Sequence, residues 1–574
     1  MKKIYLLVLV TLAIAGCQKD SAISSDKLYL SVEGMRGGEK LAVEGAVSYW
    51  ATGDRVRIND DVLEVTISEG AGTAVVTKSG AGFTSPYRGV YPSSIYSGNS
   101  SNTSYTLNLP ANYTYATTTH YGRTLQNLQA PMVAYTDEGT NLKFKHVTGA
   151  VAVQVVNYYG FTIEVDNIVV TSTVSEGNAY NLCGMTAVTL SNGAPVVAAS
   201  RDGVDSTKSV TMNFDGTDHL QILAGDSAVV QIPVLPVGDG NKFKVQVTVH
   251  KVDQSAVSKT FENTQNTGGA MPRAKMGYAR FTTGGLFTVS GTGNNAKKVI
   301  ISQGNLQYNK TTGEWSFMTT QYGTEETANQ DVGKDYASQN IVSLFGWGTS
   351  GWNNGNYLYL PYKTGDSYSA SKGYGFGPKN GSSYVNGLTG NYKNSDWGVY
   401  NKISNGGDSA GRWRTMTGNS TGEIYYMLYQ RTTETSGLPG TNNGNAKFIK
   451  GKIGTVCGLF IFPDNYSHPS DISLITSSPV YNQRDNTYGY DRFIVTETNW
   501  YKMEALGVVF LPAAGYRDGK VVQKYGDYGV YWSSSTIAAS TAYSLYVVND
   551  GLSYYYYAIR RDWGCSVRLV RDVN

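Results

Sequence analysis

Hydrophobic and polar residues alternate in short runs along much of the chain. The runs 28–32, 151–155 and 243–249 each place Leu, Val or Phe at every second position, with mostly polar residues between them. Because successive strand residues face opposite sides, this alternation indicates antiparallel strands with one buried and one wet face. Thr, Val, Ser and Tyr abound, while long amphipathic helical patterns are scarce. The pattern predicts a mainly β protein with many turns.

Two helices are predicted in the second half of the chain. The segment 420–423 (Ser-Thr-Gly-Glu) has the spacing of a capping box and opens a predicted helix at 424–431. Thr498 is expected to cap a second helix at 499–506, which Gly507 ends. Strand-like segments follow, so a β-rich end is expected after the helices.

Size and charge limit the class of protein. The chain has 574 residues, which predicts about three domains. It contains 66 Gly and 44 Tyr, and its net charge is only +3. No run of Lys and Arg interleaves with aromatic residues, so nucleic acid is not expected as a partner.

The N-terminus carries a targeting pattern. Met1 is followed by two lysines, then by an apolar run at 4–14, then by Gly16 and Cys17. The apolar run is shorter than the roughly 20 residues that a transmembrane helix needs. The segment resembles a bacterial lipoprotein signal with its lipobox. The resemblance implies a signal peptide at 1–16, lipidation of Cys17 and a polar tether at 17–26; an ordinary secretory signal with a chance cysteine is the alternative.

The other cysteines have no spacing typical of a metal or redox site. Cys183, Cys457 and Cys565 are far apart, without a CxxC motif or a His/Cys cluster. We expect free core residues, with one disulfide left open as an alternative. No metal and no cofactor are expected.

Four segments of the first half share an order with a known family. They are 50–54 (Trp-Ala-Thr-Gly-Asp), 87–92 (Tyr-Arg-Gly-Val-Tyr-Pro), 130–134 (Ala-Pro-Met-Val-Ala) and 142–146 (Leu-Lys-Phe-Lys-His). With the lipobox before them, they resemble the fimbrillin-like lipoproteins of Bacteroidetes, the subunits of type V pili. The resemblance covers about residues 17–283. It implies two β-sandwich (transthyretin-like) subdomains, at 27–140 and 141–283.

The same resemblance implies a route of assembly. In fimbrillins an Arg-specific protease cuts an exposed N-terminal loop, and the freed groove accepts a donor strand from another pilus subunit. Arg36 fits this role, because a strand precedes it and glycines flank it in an expected loop. Other pilus subunits are therefore expected partners by donor-strand addition, which pairs the unpaired backbone groups of a sheet edge.

A different module is expected after a linker at 282–285. Its segments 413–417 (Trp-Arg-Thr-Met-Thr), 510–517 (Phe-Leu-Pro-Ala-Ala-Gly-Tyr-Arg), 531–535 and 566–570 are typical of C-type-lectin-like modules of bacterial surface proteins. The resemblance covers 286–574 and implies an α+β domain. Within that group it looks most like variable proteins diversified by retroelements. Their last stretch, here about 525–571, carries ligand-binding residues on a fixed scaffold.

This last stretch mixes two kinds of residue. Nine tyrosines lie between Tyr525 and Tyr557, with Ser, Asn and Asp among them. Antibody loops have a similar composition. Four consecutive tyrosines at 554–557 cannot all face the core of a regular strand, so at least two should point outward. A sheet edge with half-buried tyrosines is the alternative reading. The predicted scaffold residues are Trp532, Leu545, Gly564, Val567 and Arg568. The predicted contact residues are Tyr525, Tyr528, Tyr543, Ser544, Tyr546, Asn549, Ser553, Tyr554, Tyr555, Tyr556, Arg561 and Trp563.

Catalysis is not expected. The lectin-like fold group includes formylglycine-generating enzymes, but those need a pair of active cysteines, and no partner motif accompanies Cys457 or Cys565. His468 is the single histidine of the module and has no nucleophile elbow near it. A calcium-dependent sugar site would need an acid-amide-Pro segment, which is not evident. Sugar binding through aromatic stacking stays open.

The sequence therefore predicts a lipid-anchored adhesin at the outer membrane and cell surface that could be incorporated in pili, at a tip position. Its C-terminal module is expected to bind a protein or glycan on a host or bacterial surface. A structural fimbrial subunit without a specific ligand is the main alternative.

Overall fold

A computed structural model describes most of the chain. It covers residues 26–573 except 34–35, 38–49, 68–73, 81, 121–122, 203, 205–206, 267–269, 323–339, 353–378, 381–382, 408, 432–445, 473–488, 519–520 and 550. The predicted signal peptide, Cys17 and the tether up to residue 25 lie outside the described residues. Most described residues are in strands, which confirms the mainly β class.

The first domain contains an eight-stranded sheet. In spatial order its strands are Asp61–Glu64, Arg55–Ile58, Tyr87–Tyr91, Met132–Thr136, Asn141–His146, Lys27–Val32, Ala74–Thr77 and Thr66–Ile67. Their inward residues form one core around Trp50, Tyr91 and Phe144, whose rings pack edge to face. Asn141–His146 pairs with both Met132–Thr136 and Lys27–Val32. The sheet thus continues past residue 140, where the predicted boundary would have divided it.

Two larger sheets of the second domain meet in one core. One has the order Arg36–Gly37, Lys275–Gly284, Gly149–Tyr158, Ser227–Val234. The other has the order Asn112–Thr114, Ser209–Asn213, Ile163–Val174, Asn241–Lys251, Ser258–Asn266, with Gln221–Ile222 beside Ile163–Val174. Side chains of both sheets share a buried cluster that includes Val153, Ile232, Ile168 and Val247.

Segments that precede residue 140 also build this domain. Tyr96–Ser101 and Ser104–Leu109 form a sheet with Gly184–Ser191 and Ala194–Val197. The hairpin Thr117–His120/Arg123–Gln126 comes next in the chain. Gln126 exchanges hydrogen bonds with the backbone of Gln231 at 2.9 and 2.8 Å, which ties the hairpin to the strand Ser227–Val234.

The predicted alternation is clear in one strand and absent in another. Asn241–Lys251 alternates buried and half-buried residues through Val249. Gly149–Tyr158 is buried at nearly every position. It is a central strand, and Ala150 on it belongs to a small second cluster with Ala130, Leu128 and Met276. A strand covered on both sides cannot keep a wet face, so its alternation in sequence was only partial.

The described part of the C-terminal module contains several small sheets and short helices. Two of its sheets have four strands, in the spatial orders Phe287–Ser290, Lys297–Ile301, Leu569–Val573, Arg414–Thr415 and Ile494–Val495, Phe448–Ile453, Val456–Ile461, Val509–Pro512. Two others have three strands, in the orders Glu314–Phe317, Leu306–Asn309, Ile341–Val342 and Gly529–Ala538, Thr541–Val548, Gly551–Arg560. Two-stranded pairs are Lys379–Asn380 with Ser383–Tyr384 and Tyr516–Asp518 with Val521–Gln523. Five tryptophans are among its largest fully buried side chains: Trp347, Trp397, Trp413, Trp500 and Trp532.

The helices are short, and their starts differ from the predicted ones. They are Trp397–Tyr400, Glu423–Tyr425 continued by the π-helix Tyr426–Gln430, and Glu497–Glu504. Within the described residues, 3₁₀ turns lie at Ser93–Ile95, Gly293–Asn295, Gly390–Ser395 and Tyr490–Arg492. Among the described helices, none has both the length and the apolar run needed to cross a bilayer.

The caps explain these shifts. Thr496, not Thr498, caps the last helix by accepting a hydrogen bond from the Asn499 backbone at 3.2 Å. At the other helix Ser420 is not the cap. Thr417 and Glu423 exchange hydrogen bonds instead: the Thr417 hydroxyl accepts from the Glu423 backbone at 3.0 Å, and the Glu423 carboxylate accepts from the Thr417 backbone at 2.9 Å. The reciprocal bond has the logic of a capping box over a longer spacing.

Candidate functional site

The three-stranded sheet at 529–560 rests on a buried scaffold. Trp532 is 2% exposed, and its indole N–H donates to the Phe345 carbonyl at 2.6 Å. Leu545, Val567 and Arg568 are also buried. These side chains hold the strands on the module core and leave the opposite surface to other residues.

Four aromatic rings meet beside this sheet. We call Tyr516, Tyr528, Tyr546 and Trp563 the aromatic cluster. Tyr516 stacks on Trp563 with ring centroids 4.4 Å apart and planes 11° apart. Tyr528 lies 6.2 Å from Tyr516 and 5.4 Å from Tyr546, edge to face with the latter at 83°. All four are half-buried, so each ring packs on the core while part of it remains accessible.

Backbone pairing brings these rings together from distant positions. The Arg517 amide donates to the Gly564 carbonyl at 2.7 Å, and the Gly564 amide donates back at 2.9 Å. A Cβ on Gly564 would lie 2.7 Å from the Arg517 side chain, so the close approach requires glycine here. This pairing sets Tyr516 next to Trp563.

Sequence reasoning missed Tyr516, although it identified the other three members of the cluster. Tyr516 stands in the segment 510–517, which was read only as a mark of the fold. Its place just before a hairpin and its aromatic type were the available signals.

Charges at the rim of the cluster are paired locally. The Lys524 ammonium lies 5.3 Å from the Tyr528 ring centroid and 3.8 Å from the Asp527 carboxylate. Arg560 donates two hydrogen bonds to Asp562, at 3.2 and 3.0 Å. Burial raises the pKa of Asp562, and the Arg560 guanidinium partly offsets that rise. The rings therefore present an apolar surface with ion pairs at its edge.

Arg561 and Ser544 do not belong to an exposed face. Arg561 is fully buried; its guanidinium stacks 4.5 Å from the Trp347 ring centroid and donates to the Ala538 carbonyl at 2.7 Å. Ser544 is 2% exposed. The prediction treated both as contact residues because Arg and Ser are common in binding loops. A guanidinium with several donors serves here to satisfy carbonyls at a strand end.

The structure also describes three other predicted contact residues, Tyr525, Tyr543 and Asn549. Tyr525 is half-buried, and burial raises its pKa. Tyr543 is half-buried beside Gly418, where an added Cβ would come within 3.0 Å of the Tyr543 Cβ. Asn549 is exposed, but its side-chain oxygen accepts from the Tyr490 backbone at 3.2 Å and its carbonyl accepts from Lys450 at 2.9 Å.

The tyrosine run lies in an irregular strand. Tyr546 pairs with Ser553, and Ser544 pairs with Tyr557, so the single residue Leu545 lies opposite the three residues 554–556. A strand with this bulge does not keep a strict two-residue period. The outward direction predicted for at least two of Tyr554, Tyr555, Tyr556 and Tyr557 concerns side chains outside the described residues, as does the contact role of Ser553.

Potential reactive groups in the module are held in structural roles. Burial raises the pKa of the Cys565 thiol well above its usual value and raises that of Cys457, which keeps both protonated. Together with Cys183 they are free cysteines. His468 contacts the Tyr466 hydroxyl at 2.8 Å and the Ile472 carbonyl at 3.1 Å. Within the described residues, no group of three His, Cys, Asp or Glu is placed to hold a metal ion.

Arg36 lies in a short strand rather than in an open loop. Arg36 and Gly37 pair in parallel with Lys275 and Met276 at the edge of the second domain. Backbone pairing with a longer strand was not visible in a segment dominated by glycine. In the described part of the chain, this two-residue strand is what covers the outer edge of Lys275–Gly284.

Comparisons with known proteins give distant structural likenesses. No protein-family model and no curated protein sequence matches the chain. A proposed cell adhesion protein of Bacteroides ovatus is 13% identical, with a TM-score of 0.25 over 44% of this chain and 91% of its own. A fimbrial protein of Bacteroides ovatus is 12% identical, with a TM-score of 0.22 over 96% of this chain and 99% of its own. A proposed cell adhesion protein of Bacteroides fragilis is 10% identical, with a TM-score of 0.23 over 53% of this chain and 96% of its own. TM-scores this low carry no argument about function.

Proposed function

We propose that this protein is a cell-surface adhesin whose C-terminal module binds a protein or glycan through the aromatic cluster. The observation that carries the proposal is the partly exposed ring surface of Tyr516, Trp563, Tyr528 and Tyr546, seated on a buried scaffold. Tyr and Trp are the residue types that dominate binding energy at interfaces, since they offer large rigid area with few rotatable bonds. Exposed aromatic patches mark interaction sites.

The resemblance of residues 286–574 to lectin-like variable proteins supports the same proposal. On this view the sheet at 529–560 is a fixed frame, and residues around it change between copies of the gene. The contact set that we propose is the aromatic cluster with Tyr525, Tyr543 and Asn549, together with the run 553–556.

We propose lipid anchoring at Cys17 and association with other pilus subunits as the setting of this adhesin. The lipobox supports the anchor. The outer edge of Lys275–Gly284 supports strand addition, because within the described residues its strand partner is the two-residue strand Arg36–Gly37. Cleavage after Arg36 would cut through that short strand and leave Gly37 at the new N-terminus. Terminal sequencing of the pilus-incorporated form should then find Gly37 first, whereas Cys17 still attached would contradict the cut.

The binding proposal is tested with the secreted part of the chain, residues 18–574, labelled with a fluorophore. Host epithelial cells, bacterial cells and immobilised glycans are the probes. Tyr516→Ala and Tyr546→Ala should each weaken binding roughly thirtyfold if they are hot spots worth about 2 kcal/mol. Tyr400→Ala is the matched control, because Tyr400 is a 41% exposed tyrosine of the same module outside the cluster.

Thermal melts of the same variants separate binding from folding. Unchanged binding of both cluster variants, or an equal loss with Tyr400→Ala, would contradict the proposal. It would favour a structural subunit instead.

A further inference from the structure

The second domain and the C-terminal module meet without a flexible linker. The strand Lys275–Gly284 stays paired with Gly149–Tyr158 up to Gly284, and the next strand begins at Phe287. The predicted linker at 282–285 is therefore mostly strand. A Cβ on Gly285 would lie 2.3 Å from the Pro463 ring, so even the short connection is packed.

Backbone of the two units is in direct contact. The Gln303 amide of the module donates to the Gly160 carbonyl of the second domain at 3.0 Å. A Cβ added to Gly160 would lie 1.9 Å from the Ile301 carbonyl oxygen. The Tyr159 hydroxyl donates to the Ala505 carbonyl. No side chain larger than hydrogen fits at residue 160 while the backbone of Gly160 stays in contact with that of Ile301 and Gln303.

A loop of the second domain enters the core of the module. We call residues 223–226 the joint loop. Ala224 is 3% exposed and belongs to the same buried cluster as Trp413, Trp532 and Leu569 of the module. The Ala224 carbonyl accepts a hydrogen bond from Arg571. The module core is thus completed by a residue from another domain.

Charge fixes the joint loop at its end. The Asp226 carboxylate accepts from Arg571 at 2.9 Å and also from Arg412. The Arg412 and Arg571 side chains are less than one-fifth exposed, and the Asp226 side chain is 36% exposed. Two guanidinium groups on one carboxylate hold the loop against two different segments of the module.

Hydrogen bonds within the second domain hold the joint loop in its conformation. Asn157 is fully buried and donates to the carbonyls of Phe161 and Ile222, both at 2.8 Å. Its carbonyl accepts from the Gly225 amide at 2.7 Å, and its own amide donates to the Asp226 carbonyl at 2.9 Å. Gly225 has a φ of +73°, which suits glycine.

A second contact lies on the other side of the same junction. The Lys251 ammonium of the second domain donates to the Thr319 carbonyl at 2.9 Å and lies 3.5 Å from the Glu504 carboxylate. Glu504 also accepts from Gln321 at 3.0 Å, and Gln321 accepts from Arg568 at 2.6 Å. Lys251, Glu504 and Arg568 are all buried. Separating the units would remove the buried Lys251 ammonium from both of these partners, whereas Glu504 and Arg568 would keep Gln321.

From these contacts we infer that the second domain and the C-terminal module are one cooperative folding unit, in which the joint loop completes the module core. The inference does not depend on any ligand. It means that the module does not hold its native core when the second domain opens, and that the aromatic cluster keeps a fixed direction relative to that domain.

Hydrogen exchange of residues 18–574, followed by mass spectrometry in increasing urea, tests the inference. One reporter is the strand Asn241–Lys251 of the second domain, and the other is the strand Val456–Ile461 of the module. In the wild-type chain the slowest amides of both should open with the same free energy and the same urea dependence, as one unit does.

Three variants make the test decisive. Asp226→Ala should speed exchange of the slowest amides in both reporters by about tenfold or more, because the variant loses hydrogen bonds to two charged partners. Asp253→Ala, which changes an exposed carboxylate of the same domain, is the control and should leave both unchanged. Gly160→Ala should separate the two reporters into different opening free energies.

Two results would overturn the inference. One is a wild-type chain in which the two reporters already open with different free energies or urea slopes. The other is an Asp226→Ala variant in which only amides of the joint loop exchange faster. If Gly160→Ala does not fold, the Asp226 variant and the comparison of the two reporters in the wild-type chain still test the inference.

Discussion

The Tyr516 ring lies flat on the Trp563 ring, with centroids 4.4 Å apart, although the two residues are 47 positions apart along the chain. The reciprocal backbone pairing of Arg517 with Gly564 makes that contact. Offset-stacked rings stabilise each other beyond their buried area. This pair is the centre of the proposed binding surface, and it can be measured directly.

A double-mutant cycle on the stacked pair should give a coupling energy of about 0.5–1.5 kcal/mol. The variants are Tyr516→Ala, Trp563→Ala and the double variant, each unfolded in urea. Because the rings contact each other, the double variant should lose less stability than the sum of the single variants. Additive losses would mean that the rings do not stabilise each other in solution.

Trp532→Ala should lower the free energy of unfolding by roughly 3–5 kcal/mol. The reason is the loss of a buried indole and of its hydrogen bond to the Phe345 carbonyl. Tyr400→Ala, at an exposed position, should stay within about 0.5 kcal/mol of the wild type. Urea unfolding of both variants gives the comparison, and equal effects would place Trp532 outside the core.

Arg561→Ala should destabilise the chain by roughly 1.5–3 kcal/mol, since a buried guanidinium that donates to the Ala538 carbonyl is removed. Arg561→Lys should lose part of this, because an ammonium lacks the planar fork. Arg492→Ala, at an exposed position of the same module, should cost less than about 1 kcal/mol. Should Arg561→Ala melt like the wild type and yet fail to bind cells, the residue would be a contact after all.

Asp396 should make the module less stable as pH rises. Its carboxylate is buried and accepts from the backbone of Gly398 at 3.1 Å and of Thr415 at 2.8 Å. Burial raises its pKa from 3.8 to about 6, and these hydrogen bonds offset only part of the rise. The folded state then binds more protons than the unfolded state between these values. Stability from this group is therefore present below the lower value and is lost as pH rises through the upper one.

The matched variant for this effect is Asp396→Asn, which does not titrate. The difference in unfolding free energy, wild type minus variant, should fall by about 2–3 kcal/mol between roughly pH 4 and pH 7. A difference that stays constant with pH, or rises, would show that Asp396 keeps an ordinary pKa in the folded protein.

Cys17→Ala should abolish incorporation of a palmitate analogue and release the protein from the membrane fraction, because attached acyl chains would supply the anchor. Cys457→Ala is a matched cysteine control and should keep both. Labelling that persists in Cys17→Ala would leave the lipobox without a role.

Local patterns in the sequence predicted local structure well. Alternation through Phe243, Val245, Val247 and Val249 corresponds to one long strand whose apolar positions are all buried. The mainly β class follows from such runs. Predicted helices also appear, although Thr496 caps one start in place of Thr498, and the Thr417–Glu423 bonds hold the other start in place of Ser420. A threonine hydroxyl can accept the same kind of backbone hydrogen bond from either of two nearby positions, or over a spacing of six residues. The local pattern therefore indicates a helix start without fixing the residue that bonds to it.

Relations between distant segments could not be read in the same way. The strands Tyr96–Ser101 and Ser104–Leu109 pair with the second domain although they precede residue 140. Their alternation indicates a strand but does not identify its neighbour. The burial of Arg561 has the same cause: a residue type common at interfaces lies next to Trp347, which is 214 positions earlier. Residue type alone cannot distinguish these settings.

The joint between the second domain and the module has a consequence for how such a surface can evolve. Its contacts come from Gly160, Asp226, Lys251 and their partners, none of which belongs to the aromatic cluster, although Arg571 lies within the stretch 525–571. Mutations can therefore change the aromatic surface and leave these interdomain contacts in place. In a lineage whose binding target changes in this way, the orientation of the binding surface relative to the second domain would stay the same.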